Sequence, residues 1–259
     1  MNEIRSNETR FLITGGLSTL ATRLANPQVV LPWVYGILGG PMVLFGLLIP
    51  SIRLGGLIAQ LTIVPTLLAL SIRKWTYVIA SMVVSAALVL ICAATLNLGI
   101  VAAVAVFFAS TLLLGACMGI MALTSQETMA KTIERERIGP LLAMQVSIGG
   151  FLTLLLVSIF IFVYPDTGST RQHLTLIFLS AAVWIGAGLS FALIKEPPSV
   201  TQGKRSIWAE THRGWVLYRT TPWFSRFFVT RALFLSVGLA TPFYAINAAS
   251  EYQNVNHSL

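Results

Sequence analysis

The chain has 259 residues, of which 56% are hydrophobic and 10% charged, where an ordinary soluble domain carries about 25% charged residues. Its 17 Lys plus Arg and 9 Asp plus Glu cannot clothe a water-facing surface of this size, and a mean hydropathy of +0.80 is the opposite of a disordered composition. A single soluble globule and a disordered chain are both excluded, which leaves an integral membrane protein.

The first candidate span covers residues 11–38. Its opening run could mimic the apolar core of a signal peptide, but Arg23, Pro27 and Pro32 follow and no small-residue cleavage site closes it, so it is read as a retained span. Arg23 lies 13 residues beyond Arg10, about 20 Å along a regular helix, too deep to reach water easily. Thr19, Arg23, Asn26 and Val30 follow offsets of 4, 3 and 4 and would share one helix face. Pro27 should kink the helix beside that polar patch.

The second span, 41–70, carries Gly46, Pro50, Arg53, Gly56 and Gln60 on one stripe. A charge at mid-span costs roughly 2.5 to 3.5 kcal/mol on insertion scales, so its retention calls for a reason. Arg53 could contact an anion or carboxylate in a central cavity, or be satisfied by helix-end carbonyls. Both readings stay open on the sequence.

From Trp75 to Gln126 no Asp, Glu, Lys or Arg occurs over 52 residues. One helix of that length would be about 78 Å long, more than twice the hydrocarbon core of about 30 Å, so the stretch must fold back once. Asn97 and Leu98 before Gly99 mark the turn and divide it into spans 76–96 and 99–126. Glu127 closes the fourth span and is expected to pair with Lys131 at i+4. Spans 139–163 and 174–194 follow, and Pro197 and Pro198 end the sixth. A basic connection, 195–226, then interleaves Lys204, Arg205, Arg213 and Arg219 with Trp208, Trp215, Tyr218 and Trp223. That mixture suits a segment at the headgroup level; a solvated loop flanking a membrane entry is the alternative. The last span is 227–250.

These seven spans total 177 residues and contain three charges, Arg23, Arg53 and Arg231, so 23 of the 26 charges fall in the other 82 residues. A low-dielectric slab enforces that segregation. Arg231, five residues from Arg226, can snorkel. A β-barrel is excluded because Leu88-Val89-Leu90-Ile91 and Leu154-Leu155-Leu156-Val157 are apolar all round. Thirteen basic residues lie in one set of connections and one, Arg171, in the other. The positive-inside rule therefore puts the N-terminus in the cytoplasm of a cell inner membrane and the C-terminal tail outside. The same division of basic residues among four segments argues against nucleic acid as a partner and for anionic lipid headgroups. Cys92 and Cys117 sit in apolar spans and read as packing residues.

The plan of six spans, a long basic loop and one more span resembles the major facilitator superfamily over residues 11–250. The local resemblances are Asn26-Pro27 and Val29-Val30-Leu31-Pro32 in the first span, the basic turn Arg73-Lys74, and Glu134-Arg135-Glu136-Arg137-Ile138-Gly139 opening the fifth. Arg231-Ala232-Leu233 leading to Pro242-Phe243-Tyr244 completes them. The chain departs from the family's G-x-x-x-D-R-x-G-R-R loop, of which only Arg73-Lys74 survives. It has no fourth-span Arg beside Gly115 and Gly119, and Gly149-Gly150 stand without the Pro of drug antiporters.

The resemblance implies an all-α, polytopic transmembrane bundle made of a six-helix N-terminal unit, 1–194, a linker, 195–226, and a seventh helix with a short external tail, 227–259, opening a second bundle. It implies transport of a small solute by alternating access, with spans one, two, four, five and seven around the cavity. Arg23, Asn26, Arg53 and Gln60 are the expected polar contacts, and a second chain could supply the remaining helices. A transport-incompetent fragment and a seven-helix receptor or sensor are the alternatives. No Asp or Glu lies within a span, and no Walker, H-E-x-x-H or G-x-S-x-G motif occurs. Enzyme chemistry, a metal and a cofactor are therefore not expected.

Overall fold

Apolar runs with no backbone partner in hydrocarbon must satisfy every N–H and C=O within their own segment, which makes helix the default element. The computed structural model describes residues 2–163, 170–198 and 207–234. Among them the regular elements are α1 (Asn2–Leu24), α2 (Val30–Ile37), α3 (Met42–Phe45), α4 (Leu48–Leu68), α5 (Lys74–Asn97), α6 (Ile100–Thr132), α7 (Arg135–Val163), α8 (Thr170–Ala192) and α9 (Ile207–Thr220). Residues 222–234 are helical as well.

Among the described residues, five helical stretches are long and apolar enough to cross a bilayer: Val43–Ile63, Lys74–Asn97, Ile100–Thr132, Arg135–Phe160 and Gln172–Ala192. They are the second to sixth expected spans, and they make the protein an all-α, multi-pass membrane bundle. The fold-back at Asn97 is where the sequence puts it, with Gly99 opening α6. The seventh expected span begins in helical residues, but 235–250 lie outside the described residues, Pro242, Phe243 and Tyr244 among them.

The first expected span departs from a single kinked helix. It is two helices, and neither alone meets the length and hydropathy a crossing needs. Pro27 supplies no N–H, and the backbone reorganises around Asn26, whose carbonyl accepts from the N–H groups of Val29, Val30 and Leu31 at 3.2, 2.9 and 3.2 Å. The Asn26 Oδ1 takes the Gln28 N–H at 2.8 Å. Such a side chain satisfies groups that a broken helix would otherwise orphan. The face expected to run through Thr19, Arg23, Asn26 and Val30 is therefore cut at Leu24, and Val30 joins the core. Beyond α2 the chain turns at Gly39, with φ of +66°, a conformation glycine adopts without strain. The Tyr35 hydroxyl pins that turn by donating to the Pro41 carbonyl at 2.9 Å.

The long helices pack in a continuous order: α4 on α6, α6 on α5, α5 on α8, α8 on α1 and α1 on α7. Exchanging α1 with α6, α4 with α7 and α5 with α8 reproduces the same set of neighbours. The order of packing, α4–α6–α5–α8–α1–α7, is thus palindromic under that exchange. Glycine permits close crossings of α4 with α6 and of α1 with α7. A Cβ on Gly115 would strike the Ile52 carbonyl and one on Gly55 the Leu112 carbonyl, so α4 and α6 meet backbone to backbone. The mirrored crossing of α1 and α7 places Gly149 against Thr19 and the Gly16 carbonyl. Small residues are what allow such approach where lipid supplies no hydrophobic drive between helices. The shared core includes Val84, Ile91, Cys92, Phe107, Ile177 and Ala187, all fully buried. Cys92 and Cys117 are buried free thiols.

Candidate functional site

Helices α1 and α6 leave a cavity of about 390 Å³ between them. Its α1 wall is Ser18, Thr19, Thr22 and Arg23, and its α6 wall is Met118, Met121, Ala122 and Ser125. Tyr77 of α5 and Trp184 of α8 complete it. The volume is within the range of about 300 to 1,000 Å³ usual for small-molecule sites. The Ser18 hydroxyl donates to the Gly15 carbonyl at 3.0 Å and the Thr22 hydroxyl to the Ser18 carbonyl at 2.7 Å. Thr22 therefore spends its proton on its own helix, and the Ser18 hydroxyl is also hydrogen-bonded to the Tyr77 side chain. Arg23 is the one formally charged residue among those that line it. The Trp184 indole N–H is buried and has no acceptor among the described residues.

Toward the end where α1 and α5 begin, Tyr77 stacks on Phe191 at 3.9 Å between centroids, and Phe191 meets Phe11 edge to face at 5.9 Å. Toward the other end, Trp33 of α2 stacks on His173 of α8 at 4.8 Å. Ring contacts thus tie α8 to its neighbours near both of its ends.

The expected site residues do not gather at one place. Arg23 is exposed and lines the cavity, whereas Asn26 is half-buried and its oxygens are engaged in the break between α1 and α2. Arg53 and Gln60 are exposed on α4 beside Leu54, Leu57 and Leu61 and do not line the cavity, although Gly56 of the same stripe faces α6. The cavity also draws on α5 and α8, the third and sixth spans, in place of the second and fifth. Tyr77 and Trp184 carry no local signal for this role, since an aromatic in an apolar span reads as core packing. Their place depends on how helices distant in sequence meet.

A second polar cluster joins helix ends outside the apolar spans. The Glu196 side chain is fully buried. One oxygen accepts from the backbone N–H groups of Arg73 and Lys74 at 2.9 and 2.7 Å, and the other from Lys131 Nζ at 2.9 Å. A carboxylate there satisfies orphan donors at the start of α5 and complements its helix dipole. Lys74 Nζ reciprocates by donating to the carbonyls of Ala192 and Ile194, both at 2.9 Å, near the end of α8. Arg73 is ion-paired with Glu127, Arg137 with Glu8 at 2.7 Å, and Asn7 exchanges two hydrogen bonds of 3.1 Å with the Lys195 backbone. The expected Glu127–Lys131 pair is thereby overturned. Both partners find better-placed charges on other elements, and a solvated i,i+4 pair is worth only about 0.2 to 0.5 kcal/mol.

This cluster brings the starts of α1, α5 and α7 and the ends of α6 and α8 to one end of the bundle. The basic turn Arg73-Lys74, the α6–α7 connection and Lys195 therefore share a face.

The chain is similar to the uncharacterized proteins Rv2209 of Mycobacterium tuberculosis (strain H37Rv) and Mb2232 of Mycobacterium bovis, at 26% identity over 244 residues in each case. The match covers 93% of this chain and 47% of each relative, so the chain spans about half the length of the curated relatives it matches. No family model and no solved structure matches it.

Proposed function

We propose that this chain is one bundle of a major-facilitator-type transporter of the cell inner membrane, moving a small solute by alternating access around the cavity between α1 and α6. The observation that carries the reading is the palindromic packing order of the helices with a partly polar cavity lined by α1, α5, α6 and α8. Transporters built of internal repeats hold their solute near the bilayer midplane, where the repeats meet. One bundle cannot rock against a missing partner, so the working unit needs a second, from another chain or from a longer form of this one. The relatives, about twice as long as the matched region, favour that arrangement. On this reading the linker is 195–226, the basic face is cytoplasmic, and Arg23 touches the solute. Arg53 and Gln60, exposed on α4, face the second bundle.

Counterflow in proteoliposomes tests it. Vesicles preloaded with a mixture of organic anions, sugars, amino acids and amines should accumulate trace label of at least one of these solutes faster than protein-free vesicles. The cells supplying the protein should contain the longer form. No accumulation of any class by that form would remove the transport reading.

A further inference from the structure

We infer that the cavity between α1 and α6 is a site for a small organic monoanion, a carboxylate on an apolar or aromatic body. The assignment rests on reading that cavity as the solute site. Arg23 is the cavity's one formal charge, and neither an ion pair nor a hydrogen bond joins its guanidinium to a described residue. No acidic side chain lines the cavity to neutralise it. Arg23 is exposed on the last turn of α1, and its planar fork matches a carboxylate through two parallel hydrogen bonds.

The count of charges limits the ligand. One cation balances one negative charge, so a phosphate dianion would bring an uncompensated charge into an apolar wall, whereas a monocarboxylate leaves the site neutral. A cationic solute would face Arg23 with like charge, and a neutral one would leave it unpaired. The opposite wall fixes the body of the ligand. Met118 and Met121 present soft, adaptable thioethers, and Tyr77 and Trp184 present rings. Such a surface recovers free energy from a hydrocarbon or aromatic group and gains nothing from a hydrated inorganic ion. Thr22, with its proton turned to the helix, offers an acceptor to a hydroxyl on the ligand.

The test uses the full chain in phosphatidylcholine nanodiscs and equilibrium dialysis of labelled benzoate and hexanoate. Competitors are benzyl alcohol, benzylamine and inorganic phosphate. At least one acid should bind saturably, and tenfold excesses of the alcohol, the amine and phosphate should leave it in place. Arg23→Gln should weaken binding at least tenfold, and Arg23→Lys, which keeps the charge and loses the fork, should lie between. Displacement by phosphate, displacement by the alcohol or amine, or failure of both acids to bind would each overturn the assignment. The competitor series needs no variant, so a misfolded Arg23→Gln leaves the result intact. Acid binding without counterflow would remove the transport reading alone. Counterflow of a neutral sugar or an amine without acid binding would remove the monoanion assignment alone.

Discussion

Glu196 shows how much one carboxylate can organise. It stands just before Pro197 and Pro198, in a stretch whose local sequence reads only as the end of a helix. Its buried oxygens nonetheless hold two backbone donors of α5 and the Lys131 ammonium of α6. Removing one partner of a buried, hydrogen-bonded charge set costs about 3 to 5 kcal/mol, because the groups left behind stay desolvated. Glu196→Ala is accordingly expected to lower thermal stability in detergent sharply. Glu196→Gln should lower it less, since an amide oxygen still accepts from an N–H. Arg137→Ala, which removes pairs whose arginine is half exposed to solvent, should change it little, because solvent screens exposed ion pairs. Equal losses from Glu196→Ala and Arg137→Ala would show that burial of the carboxylate does not matter.

At the scale of elements, neighbouring glycines on α7 separate packing from propensity. A Cβ at Gly149 would strike Thr19 and the Gly16 carbonyl of α1, while one at Gly150 meets nothing within 4 Å. Gly149→Ala should therefore cost about 1 to 3 kcal/mol through overpacking against backbone that cannot yield. Gly150→Ala should be neutral or stabilise by up to about 1 kcal/mol, because alanine is the better helix former. Unfolding both variants in mixed micelles checks the order, and a reversed order would mean that α1 and α7 do not cross at Gly149. The division of the first span belongs to the same scale. Pro27 announces a disturbance in the sequence, but a full stop at Leu24 follows only once the Asn26 carbonyl and side chain offer the next turn an alternative set of bonds.

For the whole molecule, the shared basic end yields an expectation about sidedness. Cysteine placed at Ser71, exposed beside the Arg73-Lys74 turn, should react with an impermeant maleimide only after the cytoplasmic face is opened. Cysteine at Leu98, exposed at the α5–α6 turn, should react in intact cells. The native Cys92 and Cys117 are buried and should stay silent in both. Labelling of both introduced cysteines from the same side would contradict the alternation of α5 across the bilayer.

The sequence by itself determined that the chain is helical and lives in a membrane, where most of its crossings lie, and where α5 gives way to α6. Each of those properties follows from transfer of a local segment into a low-dielectric slab, and that transfer depends on the segment's own residues. Arg23 could be singled out on the same ground, as a charge whose depth alone makes it expensive. Only the tertiary structure decided that Arg23 shares a cavity with Tyr77, Met121 and Trp184 while Arg53 does not. It alone decided that Glu127 turns to Arg73, that Glu196 takes Lys131, and in which order the helices pack. These depend on which helices approach closely, and close approach is set by small residues matched to a carbonyl on another helix, a relation that no single segment carries.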